Sequence, residues 1–442
     1  MSIILTLEIE SIGHLGIGIG RHQGKVVMVP YTAPGDRVEV TLNRHHQSYD
    51  EASLVRIIAP SASRQDPPCS LFGRCGGCHL QHLDDAYQAK LKADLFRQQV
   101  TRSGAVSPGV IRPLLAADKP LQYRSRLEIH VSRTGGHGLG FMNRRSRTIV
   151  PTAACLLALP ALEQLLGSLP SFLTQAAIPA ITMADIACAD SGEETDVTLV
   201  TAVPLADDER SRLIRSVRSV PFLTSLSLST ARGGPAAPLW TKPGQPPGVT
   251  YFLSIPNHSE PLTLSVWPGV FRQVNPAANR LLVGQVAEWL QAGPADQRVL
   301  DLYAGMGNLA LPASFFAAEV VAVEVNSRAV ENGRSNAAAL GRHSVRWIQS
   351  SCTKALKGLL QQRSFFNTVI LDPPRAGCRD ILPNLVKLGP ERIIYVSCDP
   401  ATLSRDLHYL HREGGYDVFE TRCLDMFPQT YHLESLTLLK KR

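Results

Sequence analysis

The chain shows no basic stretch followed by an apolar core and a small-residue cleavage site after Met1-Ser2-Ile3-Ile4, so no secretory leader is expected and a cytosolic location is. It also lacks an apolar run of membrane-spanning quality. The longest charge-free stretch, Gln164 to Ala184, is broken by Gly167, Pro170, Pro179 and several Ser, Thr and Gln residues; core helices and turns account for it, and no membrane partner is expected. Charge is neither scarce nor extreme: 19% charged against 44% hydrophobic residues excludes wholesale disorder. The 45 Lys and Arg outnumber the 38 Asp and Glu, a net +7 that favours an anionic partner such as nucleic acid where the excess clusters. There is no internal repeat and no even set of cysteines. Nine cysteines in a reducing compartment are read for metal binding or catalysis before disulfides.

What is present organises into more than one core, since 442 residues exceed what a single core usually holds. Residues 1 to about 58 alternate short apolar runs, Ile3 to Ile9, Lys25 to Val29, Arg37 to Leu42 and Ser53 to Ile58, with Gly, Pro and Asp turns, the pattern of a small β-barrel. Its turns carry His14, Arg21, His22, Lys25, Arg44, His45 and His46, suited to nucleic-acid backbone contact, although solvated loop polarity gives the same composition. A Ser- and Pro-rich linker, Ala59 to Pro68, precedes the first cysteines, and apolar residues at helical spacing predict a helix over Asp84 to Val100. Residues 110 to 265 mix strand-like runs, Arg126 to Val131 and Val197 to Val203, with loops such as Gly233 to Gly248, as in an α+β domain. From about 266, strands at Val299 to Leu302, Val320 to Glu324, Thr368 to Leu371 and Arg392 to Ser397 alternate with helical patterns, predicting a doubly wound α/β sheet with its ligands at the strands' carboxyl ends.

The chemistry-bearing residues fall at those ends. Asp301-Leu302-Tyr303-Ala304-Gly305-Met306-Gly307-Asn308 allows close backbone approach to a cofactor, and the next strand ends in Glu324, placed to accept from ribose hydroxyls. A third glycine is missing, which favours a nucleoside cofactor without a pyrophosphate, such as S-adenosylmethionine, over a dinucleotide. Asp372-Pro373-Pro374-Arg375 is either a rigid structural turn or the substrate wall, where the Asp372 carboxylate could hold a uracil imide N–H; a similar motif serves amino-group methylation. Tyr395-Val396-Ser397-Cys398 puts a thiol at the next strand end. C5 of uracil is not nucleophilic, and a thiolate adding at C6 would make it so, whereas amino-group methylation needs no thiol. An inert buried cysteine is the commoner fate. Glu434, in Tyr431-His432-Leu433-Glu434, is the candidate base for the C5 proton. Cys69-x5-Cys75-x2-Cys78 with the distant Cys155 supplies four thiolates, enough for structural zinc or an iron-sulfur cluster, and the spacing does not choose.

Taken together these motifs resemble the RNA uracil-5-methyltransferase family over nearly the whole chain. The resemblance implies three domains: a TRAM-type, oligonucleotide-binding-like barrel at 1–58, an α+β middle domain at 59–265 with a four-cysteine cluster, and a Rossmann-like methyltransferase domain at 266–442. It implies a [4Fe-4S] cluster on Cys69, Cys75, Cys78 and Cys155, and a cofactor site using Gln273, from Phe271-Arg272-Gln273-Val274-Asn275, with Tyr303, Glu324 and Asp372; Asn308, ending the glycine loop, is a further cofactor candidate. Cys398 and Glu434 stand at the nucleophile and base positions, and Arg126 where some members contact the base. Ala304, Met306 and Asp399 depart from the common pattern without removing a chemical role. The expected activity is S-adenosylmethionine-dependent C5 methylation of a uridine in RNA, 23S rRNA first and tRNA as the alternative, by a monomer. A rival of another class is a non-catalytic iron-sulfur protein that binds RNA or senses redox state.

Overall fold

The computed structural model describes residues 4–132, 138–144, 146 and 148–442. Strands β1 (Ile4–Ile12), β2 (Ile17–His22), β3 (Lys25–Pro30), β4 (Arg37–His45) and β5 (Tyr49–Ala59) close into a barrel in the order β1-β2-β3-β5-β4. Alternate residues point inward, and Leu7, Ile9, Val27, Val29, Val38, Val40 and Ala52 fill the interior. The expected apolar runs omit β2, whose Ile-Gly-Ile-Gly sequence reads as a loop. Its glycines are packing requirements: a Cβ on Gly18 would lie 1.9 Å from the Thr32 hydroxyl. Among the turn cations, Lys25 and His45 both reach Asp50, at 2.6 and 3.1 Å, and His46 pairs with Glu51 at 3.2 Å. The His14 side chain lies outside the described residues.

Beyond the cysteine segment comes helix α1 (Asp85–Thr101), started by Asp84, which accepts from the Tyr87 N–H at 2.7 Å. A two-residue strand, β6 (Leu115–Ala116), follows. A seven-stranded sheet then runs β13-β12-β11-β10-β7-β8-β9. It is built from β7 (Arg126–Val131), β8 (Leu139–Met142), β9 (Ile149–Pro151), helix α2 (Pro160–Ala176), β10 (Ile181–Cys188), β11 (Thr195–Thr201), helix α3 (Asp207–Ser216), β12 (Ser225–Ser229) and β13 (Ala237–Thr241). Leu162, Leu166, Leu169 and Phe172 of α2 bury one helix face on Ile129, Ile186 and Leu199 of the sheet. The charge-free stretch 164–184 is therefore most of α2 and the start of β10, and no described helix is long and apolar enough to cross a membrane. The Gly233 to Gly248 segment, expected to be loop throughout, contains β13.

The last region opens with a hairpin, β14 (Val249–Leu253) and β15 (Leu262–Val266), and continues through helix α4 (Pro276–Gln291), β16 (Arg298–Leu302), α5 (Ala310–Ala313), β17 (Glu319–Glu324), α6 (Ser327–Ala339), β18 (Val345–Gln349), α7 (Cys352–Gln361), β19 (Thr368–Leu371), α8 (Leu382–Leu388), β20 (Arg392–Ser397), α9 (Pro400–Arg412), β21 (Tyr416–Asp425) and β22 (Glu434–Lys441). Its eight-stranded sheet runs β18-β17-β16-β19-β20-β22-β21-β6, parallel from β18 to β20. Chain order reverses between β16 and β19, which opens a crevice at their carboxyl ends.

Packing crosses the divisions expected at 58 and 265, the first where Ile12 and Ala33 of the barrel are buried with Leu80, Leu83 and Leu91. Phe96 and Val100 of α1 are buried with Leu300, Leu371 and Leu407 of the methyltransferase-type layer. β6 pairs with β21, and the β14–β15 hairpin shares a core with α4 and α6. The reason is that the outer faces of β21 and α9 are apolar and need cover, which the earlier chain supplies.

Candidate active site

The loop after β16 holds its shape through left-handed backbone at Tyr303, Gly305 and Gly307, with φ of 67°, 55° and 96°. A Cβ on Gly307 would meet Leu311 at 2.9 Å, whereas one on Gly305 would meet nothing within 4 Å and projects into open space. Glu324, ending β17, accepts from the Gly305 N–H at 3.0 Å and the Asn326 N–H at 2.8 Å, which fixes its carboxylate beside the loop. Both carboxyl oxygens of Asp301 are buried, and burial, with the charges of Asp372 and Glu324 and against the Ala310 N–H, pushes that carboxyl well up. An open glycine cradle beside Glu324 fits a cationic nucleoside such as a sulfonium cofactor.

Gln273 sits between two anchored neighbours. Arg272, buried, donates to the carbonyls of Ser125 and Cys188 at 2.6 Å each, and Asn275 caps α4 by accepting from the Ala278 N–H at 3.1 Å. Asn308 is taken up as a brace: it accepts from the Tyr251 hydroxyl at 3.0 Å and exchanges two hydrogen bonds with Asn279 at 2.8 and 2.9 Å. Its amide ties the glycine loop to β14 and α4.

The reacting groups are assembled by strand register. β20 and β22 pair antiparallel with Ser397 opposite Ser435, so Cys398 and Glu434 emerge side by side from neighbouring strands. Asp372 leaves the end of β19 next to them. The Cys398 thiol is half-buried and is pushed up to about 12 by burial and then by Glu434 and Asp372, against the pull of Arg375. Glu434 is buried, and burial followed by the Asp372 charge raises its carboxyl well above the ordinary range. Burial lifts Asp372 to about 7. Arg375 opposes the proton affinity of both Cys398 and Glu434. Sequence reasoning passed over Arg375 as a site residue, although a cation directly after two rigid prolines was the available signal.

Cys398 opens into a cleft of about 390 Å³ walled by Ser11 and Ile12 of the barrel, Gln98 and Arg102 beside it on and just after α1, and Tyr431 and His432. Arg126 does not line that cleft. It forms a two-point ion pair with Asp185 on the neighbouring strand, at 2.8 and 2.5 Å, so its guanidinium is committed to the middle sheet.

Cys69, Cys75, Cys78 and Cys155 are brought together on one cavity of about 80 Å³, with Arg124 and apolar Phe72, Leu127 and Phe141 around it. Gly77 N–H donates to the Cys75 sulfur at 3.4 Å, and the buried Arg124 Nε has no protein partner. Burial pushes the Cys78 thiol up to about 12 and raises those of Cys75 and Cys155. Among the described residues, no three His, Cys, Asp or Glu side chains stand close enough to hold a metal ion. The four thiols thus share one cavity without standing at the spacing of a closed metal site.

Relatives match this chain from end to end. The 23S rRNA (uracil(1939)-C(5))-methyltransferase RlmD of Alkalilimnicola ehrlichii is 34% identical over 98% of this chain and 96% of its own length. The chain belongs to the RNA uracil-5-methyltransferase family. The RlmD of Thiobacillus denitrificans is 33% identical over 98% of this chain and 99% of its own. Residues 262–442 match the tRNA (Uracil-5-)-methyltransferase family model, and residues 5–62 the TRAM domain of tRNA (uracil(54)-C(5))-methyltransferase. The family fold extends over the whole molecule: the crystal structure of Pyrococcus abyssi tRNA (uracil-54, C5)-methyltransferase in complex with S-adenosyl-L-homocysteine superposes with a TM-score of 0.72 at 21% identity, covering 98% of this chain and all of that one.

Proposed function

We propose that this family member methylates C5 of a uridine in 23S rRNA, using S-adenosylmethionine and a covalent bond between Cys398 and C6 of the base. The observation that carries the reading is the β20–β22 register, which sets a thiol and a buried, proton-avid carboxyl side by side at the mouth of the glycine-loop crevice. The choice of 23S rRNA follows the full-length relatives; a tRNA uridine is the alternative, favoured by the family model and the structural neighbour.

S-adenosylmethionine supplies the methyl group and the leaving sulfur. Tyr303, Glu324 and Gln273 hold it, with Asn308 bracing the loop. The target uridine leaves its stack to enter the cleft, where Asp372 accepts from the imide N–H. Arg126, held by Asp185, takes no direct part unless that pair opens. Cys398 gives up its proton to solvent through the open cleft and, as the thiolate, forms a bond to C6, and the C5=C6 electron pair moves onto C5, flanked by its carbonyl. That pair makes the bond to the methyl carbon while the carbon–sulfonium bond breaks toward sulfur. Glu434, in its ionised form, then takes the C5 proton, the C–H pair restores C5=C6, and the C6–S bond breaks back to Cys398. The raised proton affinity of Glu434 suits this last step.

Three units divide the work: residues 1–58 grip RNA, 59–265 carry a [4Fe-4S] cluster on Cys69, Cys75, Cys78 and Cys155, and 266–442 perform the transfer. Barrel, α1 and catalytic sheet of one chain wall the Cys398 cleft, which supports a working monomer. The test is denaturing mass spectrometry of anaerobically purified protein with S-adenosylmethionine and RNA carrying 5-fluorouridine, whose fluorine blocks proton removal. A methylated protein–RNA adduct, absent in Cys398→Ala, supports the reading. Failure with every 23S rRNA and tRNA fragment, despite cofactor binding, removes it and brings amino-group methylation forward.

A further inference from the structure

The loop from Met426 to Leu433 joins β21 to β22 and delivers Glu434. Four successive carbonyls of this loop are taken by donors from distant parts of the chain. Asn275 Nδ2 donates to Met426 at 3.2 Å, Lys92 Nζ to Phe427 at 3.0 Å, and the Tyr123 hydroxyl to Pro428 at 3.0 Å. Gln429 accepts two backbone N–H groups, from His79 at 2.9 Å and Leu80 at 3.1 Å. His79 follows Cys78 directly, and Tyr123 precedes Arg124 of the cysteine cavity.

Gln429 is the knot of this strap. Its backbone is left-handed, φ 68°, and its side chain is buried. Gln88 on α1 accepts from its N–H at 3.1 Å and donates to its Oε1 at 2.9 Å, while Asp85 accepts from its Nε2 at 2.9 Å. Past Gln429, the ring of His79 packs on Tyr431 with centroids 4.6 Å apart, and Tyr431 on His432 at 4.1 Å, and both residues line the Cys398 cleft. A non-glycine residue in a left-handed conformation, bound on every polar atom, is held there by its surroundings.

We propose that Gln429 is a positioning residue for the proton-removal step and that the cysteine segment, through His79 and Leu80, sets where the loop places Glu434. The inference rests on the methyl-transfer reading above. It assigns the cysteine centre a task in catalysis: an opened segment lets the 426–433 loop move, so the C6–S bond forms and the methyl group transfers, but the C5 proton is not collected and Cys398 stays bound.

The experiment compares unaltered protein with Gln429→Gly, which tolerates the backbone but removes the amide, with Tyr123→Phe, which removes one hydroxyl from an otherwise intact ring, and with Cys78→Ser. On 5-fluorouridine RNA the methylated adduct should form within about threefold of the unaltered rate, while turnover on ordinary uridine RNA falls about tenfold or more and adduct with ordinary uridine becomes visible. By hydrogen exchange, free of any activity, amides 431–434 should exchange about tenfold faster while those of β16 stay protected. The proposal is overturned if adduct formation and turnover fall together, if neither falls, or if exchange at 431–434 is unchanged. Should the unaltered protein form no adduct, the methyl-transfer reading is what fails, and the exchange comparison still decides whether the cysteine segment holds the loop.

Discussion

Glu434 stands buried beside Asp372, and burial together with that neighbouring carboxyl keeps its proton tightly held, while both acids push the Cys398 thiol upward. Asp372, itself lifted by burial alone, thus bears on both of its neighbours.

Glu434→Gln keeps the shape and the cleft but removes the proton acceptor. Ordinary uridine RNA should then be trapped as a methylated covalent adduct, with turnover down about a hundredfold or more. A denaturing gel with labelled RNA checks this; free methylated RNA at the unaltered rate would assign the base elsewhere.

With Cys398 pushed up to about 12, the resting thiol is protonated at neutral pH. Alkylation of Cys398 by iodoacetamide should therefore be slow near pH 7 and rise about tenfold per pH unit up to about pH 10, because only the thiolate reacts. Glu434→Gln removes a carboxyl that raises the thiol once it ionises, and should move the upper part of the curve to lower pH. Peptide mapping by mass spectrometry reads the site.

Asp196, buried in the middle sheet, is lifted to about 7 by burial and the Asp185 charge, against hydrogen bonds from Ser225 and Thr198. A carboxyl whose folded value exceeds its unfolded one binds its proton more tightly in the folded chain. Its contribution is fully present below about pH 4 and is lost as pH rises through about 7. Asp196→Asn, which mimics the protonated form, should leave Tm nearly unchanged at pH 5 and raise it relative to the unaltered protein at pH 8. Thermal scans across that range decide it.

Lys92 and Asp425 form a buried ion pair at 2.7 Å between α1 and β21. Removing only the cation, in Lys92→Ala, leaves Asp425 buried without its partner and should cost about 3–5 kcal/mol. Lys92→Met with Asp425→Leu should recover most of it. Denaturant titration of the two variants tests the pair.

Legibility followed the strength of periodic pattern. The strands ending in Leu302, Glu324, Leu371 and Ser397 were readable because buried parallel strands are near-continuous Val, Ile and Leu runs. β2 was not, because its inward positions are glycine, and neither was β13, embedded among prolines and glycines. Helix α1 was visible, but not that its Lys92 would pair with Asp425, 333 positions later. In the site, Cys398 was legible from strand-end chemistry, whereas Glu434 depended on resemblance, because only antiparallel pairing brings residue 434 beside residue 398. Arg126 shows the converse: its position suggested substrate contact, and Asp185, distant in sequence, engages it.

The pairing of Lys92 with Asp425 and of Leu115 with Leu424 also orders the birth of the molecule on the ribosome. The barrel closes all five of its strands within residues 4–59 and can pair them early. Helix α1 emerges carrying a lysine and an apolar face whose cover is still unsynthesised, and it must wait for the final two strands. Completion of the catalytic cleft is thereby the last event of synthesis, and a chain cut short before β21 has a finished barrel and no enzyme.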